Sequence, residues 1–273
     1  ERNPWIPECY LVVGQSQFYK HDFWTTIETF QYVSSEYKND PIRPEALIWL
    51  TRAYLELGKT TDAEYLVYMD DDIEILFERN RRWAAATEAR EPGFFTRLAQ
   101  QQSPRYMWIG CADSRVPANE IMGLDPGEVF VHRNVANVVV PSDLNALSTV
   151  QFAVEHLKVA HIFVVGHYGC AGVRAAMRGL RIGLSDNWLL HVQDVRLRHR
   201  KRLDHLPPDE QEDILCEMNV IEQVGHVATS TVLQDAWARG QAVAVHGYVY
   251  GLKDGLLKDL QVTMDRPDTV VEV

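Results

Sequence analysis

Two short motifs carry the side chains of this chain that are best suited to metal chemistry. They are Cys111-Ala-Asp113-Ser-Arg115 and His167-Tyr-Gly-Cys170. Together they supply two thiols, an imidazole and a carboxylate with a fixed cation beside it. Sulfur and imidazole nitrogen are good ligands for Zn²⁺, and a site with few protein ligands leaves a coordination position open for water. The motifs therefore predict a reactive zinc site, with two core cysteines and a hydrogen-bonded core histidine as the alternative.

Each motif follows a short apolar run that a glycine ends. Tyr106-Met-Trp-Ile109 leads into Gly110, and Ile162-Phe-Val-Val165 leads into Gly166. Runs of this length and composition are typical of buried strands in a parallel sheet. Because side chains just beyond the carboxyl ends of such strands line the ligand crevice, two separate strands can bring both motifs to one point.

At these residues the chain resembles the β-class carbonic anhydrases, zinc enzymes that interconvert carbon dioxide and bicarbonate. The resemblance extends roughly from Met69 to the C-terminus and is strongest to a bacterial, bicarbonate-regulated subgroup. Besides the C-x-D-S-R and H-x-x-C elements, four further blocks match in the same order: Gly127-Glu-Val-Phe-Val-His-Arg-Asn-Val-Ala-Asn137, Asn187-Trp-Leu-Leu-His191, Cys216-Glu-Met-Asn-Val220 and His246-Gly-Tyr-Val-Tyr-Gly251.

The resemblance implies one zinc ion per catalytic domain, held permanently by Cys111, His167 and Cys170. It gives Asp113 two exclusive roles. In an open form the carboxylate pairs with Arg115 and accepts a hydrogen bond from zinc-bound water, and in a closed form it binds the metal and displaces that water. Asp113 and Arg115 are accordingly the expected catalytic pair, with zinc-bound hydroxide attacking carbon dioxide.

The resemblance also implies an apolar pocket for carbon dioxide next to the zinc. Its expected residues are Phe130, Val135 and Gly172, with Gln102 available to hydrogen-bond a substrate oxygen across a dimer interface. Plain core packing and a surface amide are the alternatives for these residues. His156 is either a proton-transfer group or an ordinary helix histidine.

Three more residues match a regulatory pocket of the bicarbonate-regulated subgroup. Trp108, Arg133 and Tyr250 are expected to bind a non-catalytic bicarbonate that stabilises the closed form. A guanidinium offers planar donors to an anion, and an indole N–H and a phenol OH complete its hydrogen bonds. The alternative is that Arg133 pairs with a carboxylate while the two aromatic rings pack beside the sheet.

The composition limits the classes of function. The chain has 273 residues, a net charge of −11 and 46% hydrophobic residues, so it can bury a sizeable core and hold more than one domain. The negative charge argues against a nucleic-acid surface, and no long uncharged apolar run predicts a membrane span. Four cysteines fit a reducing compartment, for which we expect the cytoplasm. Export stays open because the chain begins with Glu1. Cys9 and Cys216 are expected to be ordinary buried thiols.

Residues 1–68 lie outside the resemblance and carry an internal repeat. Gly14, Thr26 and Phe30 of one copy correspond to Thr51, Ala63 and Val67 of the other. The pattern is similar to tetratricopeptide helical hairpins, which can dock a protein partner. We therefore predict two domains, a helical-repeat segment over 1–68 and a catalytic domain over 69–273, joined naturally or by engineering.

The expected architecture is an α/β fold with a small all-α N-terminal segment. The pattern predicts strands at 129–131 and 242–249, and helices over 144–157, 186–206 and 210–240. The resemblance implies a four-stranded, mainly parallel sheet flanked by helices, an antiparallel extension near the C-terminus, and assembly into a homodimer or tetramer.

Three classes of function remain open at this point. The first is a carbonic anhydrase. The second is a hydrolase of the same fold acting on carbonyl sulfide or carbon disulfide. The third is a non-enzymatic interaction protein that uses the repeats for docking and the zinc as a structural element.

Overall fold

The computed structural model describes residues 6–37, 40–59, 73–100 and 102–269, and it divides into two compact units on either side of the Phe94–Phe95 bond. The helices before the sheet are α1 (Ile6–Tyr19), α2 (Phe23–Glu36), α3 (Arg43–Glu56), α4 (Ile73–Arg90) and α5 (Phe94–Leu98). The helices within and after the sheet are α6 (Ala118–Met122), α7 (Leu144–Gln151), α8 (Ala171–Arg178), α9 (Ser185–Arg198), α10 (Arg200–Leu203), α11 (Pro208–Thr229) and α12 (Thr231–Ala238). The strands are β1 (Tyr106–Cys111), β2 (Val129–Asn134), β3 (His161–His167), β4 (Ala244–Tyr250) and β5 (Leu257–Met264).

The N-terminal unit is helical, as the sequence predicts. Helix α1 packs on α2, and α2 packs on α3. Gly14 allows the first pair to approach closely, because a Cβ at this position would lie 2.4 Å from the Phe30 ring. The predicted helix that contains Ala63 and Val67 lies outside the described residues, as does the predicted domain boundary at residues 68 and 69. Helix α4 belongs to the N-terminal unit.

The C-terminal unit is built on one five-stranded sheet in the order β2-β1-β3-β4-β5. The first four strands are parallel, and β5 runs antiparallel to β4. The structure thus confirms the α/β class, the parallel four-stranded sheet and its antiparallel extension. Because the four parallel strands share one direction, their carboxyl ends meet at one edge of the sheet, which is where β1 ends in Cys111 and β3 ends in His167.

Helices cover the sheet and complete two apolar layers. Helix α11 lies against β3, β4 and β5 and buries Val220, Val224 and Val227 over Ile109 and Val164. The opposite face holds a second cluster around Trp108, which includes Val165 of β3 and Val116 and Ala118 beside and within α6. Burial on both faces explains why β1 and β3 are nearly continuous apolar runs.

The predicted helices are interrupted in three places. The helix predicted over 144–157 continues beyond α7 as a π-helical turn (Phe152–His156), which buries Ala153 and Val154 together. The helix predicted over 186–206 is broken at His199, where ψ is 14°. The helix predicted over 210–240 is broken at Ser230, whose hydroxyl accepts the Leu233 N–H and begins α12. Among the described residues, no helix combines the length and apolar character that crossing a membrane requires.

Candidate metal centre

Three potential metal ligands converge at the carboxyl edge of the sheet. Cys111 ends β1, His167 ends β3, and Cys170 lies just before α8. Their ligand atoms all lie within 4.8 Å of one another, and the two sulfur atoms are 3.9 Å apart. All three side chains are buried. The two sequence motifs therefore meet at one point, and this group could hold a metal ion.

The geometry of these atoms fits zinc. Two sulfur ligands at about 2.3 Å from a tetrahedral Zn²⁺ lie ~3.8 Å apart, close to the spacing of the two cysteines. The Nε2 atom of His167 is buried and has no hydrogen-bond partner in the part of the chain that the structure describes. A buried ring nitrogen without a partner is costly unless it binds something, and neutral imidazole with two thiolates is a typical zinc donor set.

The orientation of His167 leaves this Nε2 atom as the ligand. Its Nδ1 donates to the Tyr168 carbonyl at 3.1 Å, which fixes the tautomer and the ring. Tyr168 is itself held by Glu217, which accepts from the tyrosine hydroxyl at 2.6 Å and from the Lys258 ammonium at 2.7 Å. Burial and the bond to Glu217 raise the pKa of Tyr168 to about 12, so its hydroxyl stays a donor at neutral pH.

The two thiols of the site share a proton when no metal is bound. The hydrogen bond from Cys170, assisted by His167 and by the backbone N–H groups of Asp113 and Ala136, lowers the pKa of Cys111. The same bond and burial raise the pKa of Cys170. Cys111 and Cys170 would both act as thiolate ligands of a metal ion once this last proton is lost.

Asp113 and Arg115 form a forked ion pair beside the ligands. The Arg115 Nε donates to Asp113 Oδ1 at 2.9 Å, and Nη2 donates to Oδ2 at 2.6 Å. These bonds hold the pKa of Asp113 well below its usual range. The Oδ2 atom lies 3.7 Å from Nε2 of His167. The carboxylate is therefore ionised, is held by the guanidinium, and is close to where a fourth metal ligand would lie.

Arg133 fixes the backbone of the first motif from β2. Its Nε donates to the Cys111 carbonyl at 2.8 Å, and its Nη2 donates to the Asp113 carbonyl. This differs from the carboxylate partner considered as an alternative, because both acceptors are main-chain oxygens. Arg133 thus holds the segment that carries a metal ligand and the acidic residue of the ion pair.

The segment after β2 forms one wall of the site and has a costly backbone conformation. Ala136 and Asn137 have φ angles of 63° and 48°, a region that disfavours residues with a Cβ by about 1–2 kcal/mol each. Side chains from two other helices hold this segment. Trp188 of α9 donates to the Val135 carbonyl at 2.8 Å, and Asn219 of α11 donates to the Ala136 carbonyl at 2.9 Å.

The residues expected to form the substrate pocket are only partly brought together. Val135 and Gly172 are neighbours, because a Cβ at Gly172 would lie 3.0 Å from Val135 Cγ1. Phe130 stacks on Phe152 of the π-helical turn with ring centroids 5.8 Å apart. Gln102 is exposed and precedes β1, at the opposite end of that strand from Cys111.

His156 is an exposed residue at the end of the π-helical turn. Its ring lies against Phe152 at a centroid distance of 5.1 Å. It therefore shares an aromatic partner with Phe130, which is the one described contact that links it to the expected pocket.

The three residues of the expected regulatory pocket lie on one face of the sheet. Arg133 is opposite Gly110 in the register of β2 and β1. The indole Nε1 of Trp108 lies over Gly110, since a Cβ there would approach it to 2.1 Å. Trp108 and Tyr250 belong to the same apolar cluster. Nε1 of Trp108 is buried without a hydrogen-bond partner among the described residues.

The predictions for the other two cysteines had different outcomes. Cys216 is buried, and burial raises the pKa of its thiol. The prediction for Cys9 is wrong: this residue is exposed on α1, whose packed face includes Tyr10, Leu11 and Gly14 instead.

Sequence reasoning assigned no role to several residues that hold the site. They are Trp188, Asn219, Gln223, Glu217 and Lys258. Three of these residues, Trp188, Asn219 and Glu217, lie in the sequence blocks Asn187–His191 and Cys216–Val220 that match the carbonic anhydrases. The match marks these positions but does not say what the side chains contact. Contacts across 49 to 83 positions of the chain supply that information.

Comparisons with known proteins agree with the geometry of the site. The carbonic anhydrase family model matches residues 106–257. A carbonic anhydrase of Emericella nidulans is 48% identical over 207 residues, which are 76% of this chain and 90% of the relative. Among solved structures, the β-carbonic anhydrase of Coccomyxa in complex with acetazolamide has a TM-score of 0.70 and 40% identity, covering 72% of this chain and 90% of its own.

A structure from a study of two tetrameric β-carbonic anhydrases of Sordaria macrospora has a TM-score of 0.68 and 36% identity. The match covers 71% of this chain and all of the Sordaria chain. Curated relatives of the chain include fungal and plant proteins, and the expected bacterial subgroup stays a prediction. With the Cys-His-Cys cluster, the parallel sheet and these relatives in agreement, the chain belongs to the β-class carbonic anhydrases.

Proposed function

We propose that this protein catalyses the reversible hydration of carbon dioxide to bicarbonate and a proton, at a zinc ion held by Cys111, His167 and Cys170. The observation that carries the proposal is the pair of buried thiols 3.9 Å apart beside an imidazole nitrogen that has no hydrogen-bond partner among the described residues. When bound, zinc lowers the pKa of a water to about 7 and so provides a nucleophile at neutral pH, an effect for which carbonic anhydrases are the standard example.

The chain's own residues prepare that reaction. Arg115 holds Asp113 through two charge-assisted hydrogen bonds. The Asp113 carboxylate is therefore ionised and can accept a hydrogen bond from a donor at the fourth metal position. Arg133 holds the carbonyls of Cys111 and Asp113. An ionised acceptor in a fixed position orients the reacting water and needs no rearrangement during the reaction.

The proposed walls of the carbon dioxide pocket are Phe130, Val135 and Gly172. The proposed hydrogen-bond donor to the substrate is Gln102 from a second subunit. The contact between Val135 and Gly172 supports the first part, since it encloses apolar surface beside Cys170.

A structural role for zinc alone would need a fourth protein ligand. The nearest carboxylate is held by Arg115 instead, and this favours an enzyme over an interaction protein.

Asp113 is also the proposed switch of the enzyme. Its Oδ2 atom is 3.7 Å from His167 Nε2, so a modest rotation away from Arg115 would bring it to the metal. A carboxylate in that position would occupy the site that water needs. We propose that the arrangement described above is the open form, and that the closed form exchanges the bonds to Arg115 for a bond to zinc.

Trp108, Arg133 and Tyr250 form the proposed bicarbonate pocket that favours the closed form. Their common face and the unpartnered indole N–H of Trp108 support this assignment. An anion at Arg133 would compete with the carbonyls of Cys111 and Asp113 for the guanidinium. Bicarbonate would thereby loosen the backbone on which Asp113 must turn.

The proposed assembly is a homodimer or tetramer. The Sordaria relatives are tetrameric. Large apolar side chains are exposed in the C-terminal unit, including Leu144, Leu184 and Leu256. We also propose that the N-terminal unit is a helical repeat that binds a protein partner. The packing of Gly14 against Phe30 supports this proposal. Sedimentation of the zinc-loaded protein tests the assembly.

Stopped-flow measurement of carbon dioxide hydration tests the proposed activity. We expect the zinc-loaded protein to accelerate hydration across neutral and alkaline pH, and the Cys170→Ala variant to lose this acceleration. The pH optimum should lean to the alkaline side, because two thiolates donate more charge to zinc than neutral ligands do. A zinc-loaded parent protein without hydration activity at any pH would disprove the proposal.

A further inference from the structure

A cavity of about 630 Å³ lies beside the Arg115 side chain at the carboxyl edge of the sheet. Segments that follow three of the parallel strands line it: Arg115 after β1, Tyr168 after β3 and the loop 251–254 after β4. Helix α11 adds Glu212 and Asp213 to the lining. The volume is ample for a chain of waters, since each water occupies about 30 Å³. Water in this cavity would connect the surroundings of Arg115 with the carboxylates of α11.

The acidic side chains of this cavity differ in their hydrogen-bond partners. Arg178 Nε donates to Glu212 at 2.7 Å, and the Leu256 N–H donates to Asp254 at 3.1 Å. The part of the chain that the structure describes gives the Asp213 carboxylate no hydrogen bond and no ion pair. Asp213 is also exposed. Its oxygens can therefore exchange a proton with water in the cavity and with the solution.

The surroundings of Asp213 favour its protonated form. Partial burial raises the pKa of the Asp213 carboxyl, and the ammonium group of Lys253 in the loop after β4 opposes this effect. On α11 itself, the carboxylates of Glu212 and Glu217 also raise the pKa, and Lys258 of β5 opposes them. A proton acceptor works best when its pKa lies close to the working pH. The direction of the shift therefore suits a group that takes up and releases protons.

Asp113, the carboxylate next to the metal cluster, is less suited to carry a proton away. Arg115 donates to both of its oxygens, which fixes the carboxylate for orienting a water. Asp213 lines the same cavity as Arg115 and has no such partner among the described residues. Two carboxyl groups near one site take different roles when their environments differ in this way.

We propose that Asp213 is the group that transfers the proton of carbon dioxide hydration from the cavity to the solution. Hydration converts carbon dioxide and water into bicarbonate and a proton. An O–H bond of water breaks, the proton passes along water in the cavity, and a new O–H bond forms at the Asp213 carboxylate. A buffer base then removes this proton and restores the carboxylate. The inference rests on the proposed function.

Oxygen-18 exchange between carbon dioxide and water tests this role, because it gives the rate of interconversion with bicarbonate and the rate of proton transfer separately. In zinc-loaded Asp213→Asn without added buffer, we expect proton transfer to fall about 10- to 100-fold. Interconversion should stay at the parent rate. A high concentration of imidazole should restore proton transfer, since it brings a base into the cavity. Asp235→Asn, the same change at an exposed aspartate of α12, is the control and should match the parent in both rates.

A carboxyl titration gives a readout apart from activity. In ¹³C NMR spectra of the zinc-loaded parent, the signal that Asp213→Asn lacks should titrate above the ordinary aspartate pKa of about 3.9. Three results would overturn the proposal: parent-like proton transfer in folded, zinc-containing Asp213→Asn, a loss that imidazole does not restore, or a pKa at or below the ordinary value. If Asp213→Asn does not fold, Asp213→Ser takes its place under the same criteria. A zinc-loaded parent without interconversion would instead refute the proposed function.

Discussion

At the scale of single residues, the centre combines groups whose protonation is set by their neighbours. Asp113 is ionised because Arg115 donates to both of its oxygens, and Cys111 is acidic because several donors meet at its sulfur. One nitrogen of His167 is bonded to a carbonyl, and the other has no hydrogen-bond partner within the described ranges. Each group can therefore bind a metal or accept a proton in the ligand-free protein.

Removal of one thiol should abolish metal binding. Cys170→Ala leaves Cys111 and His167 as the remaining pair of the cluster, and two ligands hold zinc poorly. Loss of an outer contact to a metal ligand weakens affinity about 10- to 100-fold, so loss of a ligand should weaken it at least as much. Metal analysis after dialysis measures this. Cys9→Ala, which changes an exposed thiol, is the control, and full zinc occupancy in Cys170→Ala would contradict the assignment.

Loss of Arg115 should reduce activity and leave the metal bound. Each charge-assisted hydrogen bond contributes about 1.5–3 kcal/mol, so Asp113 released from Arg115 should shift toward the metal and slow hydration on the order of 10- to 100-fold. Stopped-flow rates and zinc content measure the two effects. Arg174→Ala is the control, since Arg174 donates to the Gly169 carbonyl in the other ligand motif and not to Asp113. Parent-like turnover in Arg115→Ala would remove Asp113 and Arg115 from the mechanism.

The same substitution should change how stability depends on pH. Arg115 lowers the pKa of Asp113, and a carboxyl with a lowered folded-state pKa stabilises the fold above its unfolded pKa of about 3.9. This stabilisation is lost as the pH falls through the folded-state pKa. The difference in Tm between parent and Arg115→Ala should therefore be largest above about pH 5 and shrink in acid. A difference that grows in acid would show that Asp113 is not the group involved.

At the scale of elements, the strands could be predicted and their connections could not. The apolar runs before Cys111 and His167 predict two buried parallel strands, and the structure has both. The segment 135–139 gives no such signal, because the groups that hold it lie far along the chain. Gln223, for example, is 84 positions after Val139. The breaks at His199 and Ser230 were also missed, since the apolar periodicity continues through both.

The proposed regulatory pocket is best tested by removing single polar atoms. Arg133→Ala would also free the carbonyls of Cys111 and Asp113, so its effect on bicarbonate is hard to separate from damage to the metal segment. Tyr250→Phe and Trp108→Phe remove an OH and an N–H and keep an aromatic ring. We expect both to weaken bicarbonate inhibition and to flatten the loss of activity below about pH 8, because proton uptake would no longer be coupled to closure.

Tyr248→Phe is the matched control for this experiment, since Tyr248 belongs to the same cluster and lies two residues earlier on β4. Its bicarbonate inhibition and pH profile should equal those of the parent. A parent profile that follows one simple titration, without bicarbonate inhibition beyond product competition, would return Trp108, Arg133 and Tyr250 to a packing role.

At the scale of the whole molecule, the chemistry is confined to one of the two compact units. The metal cluster and the ion pair both lie after residue 95. The family relationship extends over this part as well, with the family model ending at residue 257. The resemblance therefore predicted the catalytic unit far better than the N-terminal helices, for which the sequence offered only a repeat pattern.

A chain that begins at Met69 should keep zinc and carbon dioxide hydration. Every residue with a proposed chemical role is retained, so zinc content and turnover per catalytic domain should stay within about twofold of the full chain. Helix α4, which this chain keeps, belongs to the N-terminal unit, so a second chain that begins at Phe95 tests whether that helix is needed for assembly. A folded, oligomeric but inactive Met69 protein would reveal a catalytic role for residues 1–68.

The strand register makes the centre sensitive to chain length. Gly110 pairs with Val165, so Cys111 and His167 end their strands one row apart and on opposite faces. One residue inserted into β1 would reverse the face of every side chain beyond it and turn Cys111 away from Cys170. Two inserted residues would restore the face but displace the thiol by about 6.6 Å along the strand. Insertions and deletions in this protein are therefore tolerable only where they leave both β1 and β3 intact. The positions of the metal ligands thus restrict these two strands more strictly than their apolar character does.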